Sequence, residues 1–112
     1  MIEIIVLNFL KTALSPIDVG LERKENVTGK YILFEKVSSS KINHLKSARL
    51  AFQSYDTSMA NAAKLNEQVK TAVENLIDLD EIVSVSLDSD YNFTDTSTKE
   101  YRYQAIFDIK YY

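Results

Sequence analysis

The sequence predicts a single α+β domain, residues 1–112, in which two helices cover one face of a four-stranded sheet. Apolar and polar residues alternate along the closing segment Lys99–Tyr112, and apolar residues recur at helical spacing along Ser58–Leu76. A chain of 112 residues suits one domain with one core. The predicted order is helix, strand, strand, helix, strand, strand. Because two pairs of strands follow one another directly, we expect an antiparallel sheet, with a mixed sheet as the alternative.

The two predicted helices are one at the start of the chain and one near its middle. In Met1–Leu14 most apolar residues fall on one helical stripe, and Ser15-Pro16 ends the helix because proline disfavours the α conformation at the residue before it. Ile4 and Leu7 blur this stripe, so a strand is the alternative there. The segment is too short to span a bilayer. The second helix, Ser58–Leu76, is preceded by side chains that can cap its first turn.

The remaining segments divide into strands and polar connections. Branched and aromatic residues predict the strands, and clusters of polar residues predict the connections. The predicted strands are Lys30–Val37, Ala48–Asp56, Ile82–Leu87 and Lys99–Tyr112. In the second of them, alternation predicts one mostly apolar face with Ala48, Leu50, Phe52 and Ser54, and an opposite face with Arg49, Ala51, Gln53 and Tyr55. The predicted connections are Ser38–Lys46 and Asp88–Thr98, and Leu21–Thr28 is predicted to form a loop or a short edge hairpin.

The closing strand is predicted to have one core face and one outer face. The residues assigned to the core under the helices are Tyr101, Tyr103, Ala105, Phe107, Ile109 and Tyr111. The opposite face carries Arg102, Ile106, Lys110 and Tyr112. Ile106 and Tyr112 are apolar residues on an otherwise polar face, so we expect a neighbouring chain to contact this face.

The residues that catalysis would need are not grouped in any recognisable motif. His44 is the one histidine, it lies in a polar connection, and no nucleophile or orienting carboxylate accompanies it. The chain has no cysteine and no glycine-rich phosphate loop. Asp88–Asp95 is rich in aspartate but lacks the central glycine and the final glutamate of a calcium loop. We therefore expect no enzymatic activity, no cofactor and no metal site.

Charge indicates which partners are excluded. The net charge of −3 argues against general binding to nucleic acid phosphates, and we expect no sequence-specific nucleic acid partner and no membrane. One cluster is an exception, because Lys36, Lys41, Lys46 and Arg49 lie close in sequence to Tyr31, Phe34 and Tyr55. Such a cluster could bind nucleic acid on a sheet face, which remains a weaker alternative.

Tyrosine is abundant, with seven residues, and five of them lie near the end of the chain at positions 91, 101, 103, 111 and 112. Tyrosine suits half-buried sheet faces and interfaces because its ring is apolar and its hydroxyl is polar. A single helix-covered face can bury only one alternating set of side chains. The remaining tyrosines therefore favour a protein that contacts other chains.

Several stretches together resemble one protein family. They are an opening helix, the strand Tyr31-Ile-Leu-Phe-Glu35, the segment Ala48-Arg-Leu-Ala-Phe-Gln-Ser-Tyr-Asp56, the helix Ala63-Lys-Leu-Asn-Glu-Gln-Val-Lys70, and the end Tyr101-Arg-Tyr-Gln-Ala-Ile-Phe-Asp-Ile-Lys-Tyr-Tyr112. In this order they are similar to the tail-completion and tail-terminator proteins of long-tailed bacteriophages. The resemblance covers nearly the whole chain, although its patterns are diffuse and include no invariant chemical motif.

The resemblance implies a structural protein that forms a ring, commonly a hexamer, on the end of the tail tube. Its partners would be further copies of itself, the tail tube protein and the head–tail connector protein. It would be located in the virion tail or neck, and in the host cytoplasm during assembly. Our candidate interface residues are Tyr91, Phe93, Arg102, Ile106, Lys110 and Tyr112, and we expect the segment Asp88–Thr98 to become ordered on assembly.

Two other functions remain open at this point. The chain could be a different small neck protein that completes or stops the phage head. It could instead be a cellular α+β module that binds a small ligand in a crevice between helix and sheet.

Overall fold

The computed structural model, which describes residues 1–23, 29–98 and 100–112, is an α+β fold built on a five-stranded mixed sheet. In chain order the elements are α1 (Ile2–Ala13), β1 (Asp18–Gly20), β2 (Tyr31–Ile42), β3 (Leu45–Asp56), α2 (Met59–Glu74), a 3₁₀ helix (Asn75–Asp78), β4 (Ile82–Asn92) and β5 (Tyr101–Tyr111). The strands lie in the order β1-β2-β3-β5-β4. β1 is parallel to β2, and the other neighbours are antiparallel.

The prediction of a four-stranded sheet was wrong, because β1 adds a fifth strand before β2. Only three residues form β1, which is too few to show alternation in the sequence. Its parallel pairing with Tyr31–Leu33 makes the sheet mixed, which was the alternative. The predicted loop over Leu21–Thr28 falls partly on residues 24–28, which lie outside the described residues, as does Lys99 of the predicted closing strand.

Both predicted polar connections contain strand. Ser38–Ile42 continues β2 and pairs with Leu45–Arg49, so the predicted connection Ser38–Lys46 is instead a β-hairpin. Its turn is Asn43 and His44, both with φ of 54°, which matches the two-residue turns that fit the twist of a hairpin. β4 likewise runs on to Asn92, so the predicted connection Asp88–Thr98 is strand in its first part.

The two helices form close to where the sequence predicts them. The Ser58 Oγ accepts a hydrogen bond from the Asn61 backbone N–H at 3.1 Å, which caps the first turn of α2. α1 buries Ile2, Val6 and Leu10, which recur every four residues, and it therefore lies on the core as a helix.

A single core lies between the helices and one face of the sheet. Its centre is a row of aromatic rings on three neighbouring strands: Phe34 stacks on Phe52 at 5.2 Å, and Phe52 meets Phe107 edge-on at 5.8 Å. The fully buried side chains around this row come from both helices and the sheet, and include Val6, Leu10, Ile32, Leu50, Leu65, Val69, Leu76 and Ile109.

The burial of the closing strand follows the predicted faces only in part, because Gln104 on the opposite face is buried and Arg102 and Ile106 are half-buried. Ala105, Phe107 and Ile109 are fully buried, whereas Tyr101, Tyr103 and Tyr111 are only half-buried. The tyrosines lie towards the two ends of β5. On the opposite face Lys110 and Tyr112 are exposed.

Candidate interaction surface

The face of the sheet turned away from the helices, called here the outer face, is formed by alternate residues of β2 to β5. Its main side chains are Tyr31, Leu33, Arg49, Ala51, Gln53, Tyr55, Ser89, Tyr91, Arg102, Gln104, Ile106 and Asp108. Although no helix lies over them, Tyr31, Tyr55 and Gln104 are between 5% and 8% exposed. Neighbouring side chains on the same face cover them, so the outer face has its own layer of packed side chains.

Aromatic rings and guanidinium groups stack at one end of the outer face. The rings of Tyr31 and Tyr55 lie 4.5 Å apart and are nearly parallel, at 8°. Arg23 lies 5.8 Å from both ring centroids. Arg102 lies 5.7 Å from the Tyr55 ring and 4.6 Å from the Phe93 ring. Cations at such distances from ring faces are attracted by the ring quadrupole, so the stack links three strands and the segments beside them.

A chain of hydrogen bonds crosses the outer face from this stack. Arg102 donates to the Tyr55 hydroxyl at 3.0 Å, and that hydroxyl donates to Gln53 Oε1 at 3.1 Å. Gln53 Nε2 donates to Gln104 Oε1 at 2.9 Å, and Gln104 Nε2 donates to the Tyr91 hydroxyl. Because each group is held by the next, these side chains are fixed in one arrangement before any partner binds.

Arg23 ties two distant parts of the chain together beside the stack. Its guanidinium donates to both carboxylate oxygens of Glu100, at 2.7 Å and 3.1 Å, and to the Tyr31 hydroxyl at 2.8 Å. The hydrogen bond with Glu100 raises the pKa of Arg23 above its ordinary value. Burial raises the pKa of the Tyr31 hydroxyl, because its ionised form would lose hydration. The segment before β2 is thereby held against the segment before β5.

A second ion-pair cluster lies at the other end of the outer face. Arg49 donates to the two carboxylate oxygens of Asp108 at 2.9 Å and 3.1 Å, and it lies 3.5 Å from Asp88. The hydrogen bond with Asp108 raises the pKa of Arg49. Since Arg49 is held between two carboxylates, it is not available to a phosphate group.

Phe34 is a core residue, and Tyr31 and Tyr55 are buried against each other. The stacking platform of the nucleic-acid alternative is therefore not present as predicted.

The structure separates the predicted interface residues into two groups. Tyr91, Phe93 and Arg102 come together at one end, where the rings of Tyr91 and Phe93 meet edge-on at 5.9 Å. Arg102 also donates from Nε to the Phe93 carbonyl at 2.6 Å. The other three residues lie elsewhere. Ile106 is half-buried in the middle of the outer face, and Lys110 and Tyr112 are exposed at the opposite end. The six residues therefore do not form one patch.

Sequence reasoning missed most of the outer-face network. Tyr55 and Gln53 were placed on the correct face of β3, but their partners Arg102 and Gln104 depend on the register between β3 and β5. Arg23 was placed in a loop, with no sign of its contact with Glu100. The one available signal was that Tyr31 and Tyr55 are large residues on strand positions opposite the core.

Within the described parts of the chain, the sheet has an open edge on each side. β1 pairs only with Tyr31–Leu33, so β2 from Phe34 to Ile42 has no strand on its outer side among the described residues. Val37 and Ile42 on this strand are 56% and 73% exposed. β4 is the last strand on the other side, where Val83 and Leu87 are 38% and 41% exposed. Open strand edges are ready to pair with another chain.

No protein-family model matches this chain, and no curated protein matches it.

Other kinds of site were sought in the described parts of the chain. An open groove of ≈ 520 Å³ lies between the end of α1 and α2, lined by Leu14, Ile17, Glu67, Gln68 and Thr71 among others. Within residues 1–23, 29–98 and 100–112, no three histidine, aspartate or glutamate side chains are placed to hold a metal ion. No helix in these ranges is both long and apolar enough to cross a membrane. His44 lies exposed in the hairpin turn.

Proposed function

We propose that this protein is a tail-completion protein of a long-tailed bacteriophage, which forms a ring on the end of the tail tube and joins it to the head connector. The observation that carries this proposal is the open edge of β2 from Phe34 to Ile42, with its exposed apolar side chains Val37 and Ile42. An exposed strand edge with apolar side chains is costly for a chain that stays alone, because it invites pairing. A protein that assembles uses such an edge.

The order of elements supports the proposal together with the resemblance of the sequence. The stretches that carry the resemblance lie on α1, β2, β3, α2 and β5, which together supply most of the core. A ring of identical chains needs two different surfaces on each subunit. The two open sheet edges supply two different surfaces, and the outer face is free to meet a third partner.

The end of the outer face around Tyr91 and Phe93 is the proposed contact with the tail tube or the connector. These side chains are 39% and 38% exposed, and Arg102 fixes the position of Phe93. Aromatic side chains held in place by their neighbours suit an interface, since little conformational entropy is lost on binding. The first part of Asp88–Thr98, the segment expected to become ordered on assembly, is already strand β4.

The experiment is to add the purified protein to tubes of the tail tube protein encoded in the same genome and to image them by electron microscopy. We expect closed rings at tube ends. Tyr91→Ser with Phe93→Ser should reduce the fraction of decorated ends. Lys64→Ala, on the exposed side of α2, is the control and should leave decoration unchanged. Tube ends that stay bare with the unaltered protein would contradict the function.

A ligand-binding module is the second candidate, because the groove beside α2 is large enough for a small molecule. It lies between the two helices and not between helix and sheet, where the sequence led us to expect a crevice. Thermal stabilisation of the protein by a member of a metabolite panel, abolished by Thr71→Trp in the groove, would favour this candidate. A head-completion protein would instead bind the connector and leave tube ends bare.

A further inference from the structure

The two open edges of the sheet carry opposite charge. The β2–β3 hairpin from Phe34 to Leu50 contains four cationic side chains, Lys36, Lys41, Lys46 and Arg49, and one carboxylate, Glu35. Residues 78–90, which lead into and form most of β4, contain five carboxylates, Asp78, Asp80, Glu81, Asp88 and Asp90, and no lysine or arginine. Opposite charge on two edges of one molecule favours contact between copies of that molecule, because each edge attracts the other edge of a neighbour.

The charged groups nearest each edge are accessible. Lys41 and Lys46 are exposed, and so are Asp80 and Glu81. Not every charge is free. Arg49 is held by Asp108, Asp90 is held by Lys70, and Lys36 lies 3.9 Å from Glu3. Lys41 and Glu81 therefore form the simplest complementary pair of exposed charges.

The register of the sheet places these two groups in adjacent rows. Lys41 pairs with Lys46, Lys46 with Tyr111 and Tyr111 with Ile82, and Glu81 precedes Ile82. Along the neighbouring rows, Ser38 and Ser40 on β2 share rows with Ser86 and Ser84 on β4. If a second copy continues the rows sideways, its Lys41 lies beside Ile82, one residue from Glu81, and small serine side chains face each other.

We propose that the β2 edge of one copy pairs with the β4 edge of the next copy, in this row register, so that one sheet continues through successive subunits. This inference rests on the proposed ring and names the surfaces that form it. β2 and β4 run in opposite directions, because three antiparallel pairings, β2 with β3, β3 with β5 and β5 with β4, separate them, so the new pair is antiparallel. The contact is head-to-tail, because the two surfaces differ, and it closes into a ring if the rotation between copies allows.

β-bulges limit the length of this pairing. β2 is interrupted between Lys36 and Ser38, and β4 is interrupted between Ile82 and Ser84 and between Leu87 and Ser89. The regular stretches that remain are Ser38–Ile42 on β2 and Ser84–Leu87 on β4. In the row register, residues 38–40 of the first stretch face residues 84–86 of the second. Bulges at sheet edges discourage pairing with unrelated strands, so the short regular stretches give the contact its selectivity.

The charge test uses two single reversals, Lys41→Glu and Glu81→Lys. Each variant alone places like charges at the contact, and we expect self-association measured by sedimentation velocity to weaken about threefold or more. An equimolar mixture should associate as the unaltered protein does, because every contact between unlike variants restores opposite charges. Lys64→Glu and Glu74→Lys make the same charge changes on the exposed side of α2 and should associate normally.

The position test uses engineered cysteines, which are unambiguous because the natural chain has none. Adjacent residues in paired strands have Cα atoms at distances that a disulfide can bridge. Ser40→Cys mixed with Ser84→Cys should give disulfide-linked heterodimers on mild oxidation, and neither variant alone should give dimers. Dimers of either variant with itself would overturn the head-to-tail arrangement.

The outcomes separate this inference from the proposed function. Rings on tube ends combined with unchanged association of both charge variants would overturn the edge pairing and leave the function standing. A chain that remains monomeric at its highest soluble concentration would also overturn the edge pairing in solution, whatever the tubes show. Heterodimers and charge rescue with bare tube ends would support the edge pairing and contradict the tail function.

Discussion

The Tyr31 ring lies against the Tyr55 ring on the outer face, with centroids 4.5 Å apart and an angle of 8° between the ring planes. This stack is buried without any helix above it, because Arg23 and Arg102 lie beside the rings. It makes the start of β2 and the end of β3 one rigid unit. The side chains of the outer face therefore have a fixed arrangement before a partner binds.

The stack predicts a loss of stability at alkaline pH that depends on Tyr31. Burial raises the folded-state pKa of Tyr31 above its ordinary value of 10.0, so the folded protein holds this proton more tightly than the unfolded chain does. The contribution is fully present below the ordinary pKa and is lost as pH rises through the folded pKa. We expect Tyr31→Phe to lose less unfolding free energy than the unaltered protein between neutral pH and pH above 10.0. Urea unfolding over this pH range measures the difference, and equal slopes would contradict it.

Asp90 joins β4 to α2 through a buried amide, and its removal should be costly. Its Oδ2 accepts from Asn66 Nδ2 at 2.9 Å and from Lys70 Nζ at 3.0 Å. Asn66 is 1% exposed, so Asp90→Ala leaves its amide group without an acceptor in the core. We expect a loss of about 1–3 kcal/mol of unfolding free energy, the usual penalty for an unsatisfied buried polar group.

Asp88→Ala provides the comparison for Asp90→Ala. Asp88 lies two residues earlier on the same strand, but its side chain is 42% exposed. We expect a change within about 0.5 kcal/mol, as for most surface substitutions. Urea unfolding of both variants separates the two sites, and equal losses would show that the Asn66 contact contributes little.

Asp95 stabilises the connection between β4 and β5 through its hydrogen bonds, and the pKa of its carboxyl group should depend on those bonds. Asp95 Oδ1 accepts from the Ser97 hydroxyl at 2.6 Å and from the Ser97 backbone N–H at 3.0 Å. The hydroxyl contact lowers the pKa of Asp95 below its ordinary value of 3.8. The carboxylate therefore favours the folded turn above the ordinary pKa, and this contribution is lost as pH falls through the lower folded pKa.

Ser97→Ala removes the hydroxyl but keeps the backbone donor. We expect the pKa of Asp95 to rise towards its ordinary value, as followed by carboxyl carbon chemical shifts in an NMR titration. Thr96→Ala changes the adjacent exposed residue and should leave that titration unaltered. An unchanged Asp95 titration in Ser97→Ala would show that the backbone contact alone sets the shift.

The sequence was sufficient to predict the strand and its buried face where apolar and polar residues alternate strongly along a segment. The alternation in β3 predicted that Ala48, Leu50, Phe52 and Ser54 share a face, and all four are buried. It was insufficient for Ser38–Ile42, because serine has little intrinsic preference for strand, and the pairing with Leu45–Arg49 is what makes this segment a strand. The turn at Asn43 and His44 contains no glycine, so the usual hairpin signal was missing.

The candidate surface was less predictable than the core for a physical reason. A core position follows from the hydrophobicity of the residue itself, whereas a surface contact needs two residues from different strands in register. The contact between Gln53 and Gln104 depends on the pairing of β3 with β5, and that of Arg23 with Glu100 depends on two connections lying together. Alternation within a single strand carries neither piece of information.

The two faces of β5 give the sharpest test of how folding and assembly are divided. Phe107 is fully buried and meets Phe52 edge-on at 5.8 Å, so Phe107→Asp places a carboxylate among apolar groups. The cost of burying an unpaired charge is several kcal/mol, comparable with the whole stability of a small domain. We expect this variant to lose its cooperative unfolding transition in circular dichroism.

Ile106→Asp changes the neighbouring residue on the outer face, where Ala51 and Ser89 lie beside it in the register. The new carboxylate remains in contact with water, because Ile106 is only half-buried. We expect a cooperative unfolding transition to persist and the decoration of tube ends to fall, since a charge would enter an apolar contact. Loss of the transition in both variants would mean that the outer face is part of the core. A folded Ile106→Asp protein that decorates tube ends normally would remove Ile106 from the interface and leave Tyr91 and Phe93 as the proposed contact.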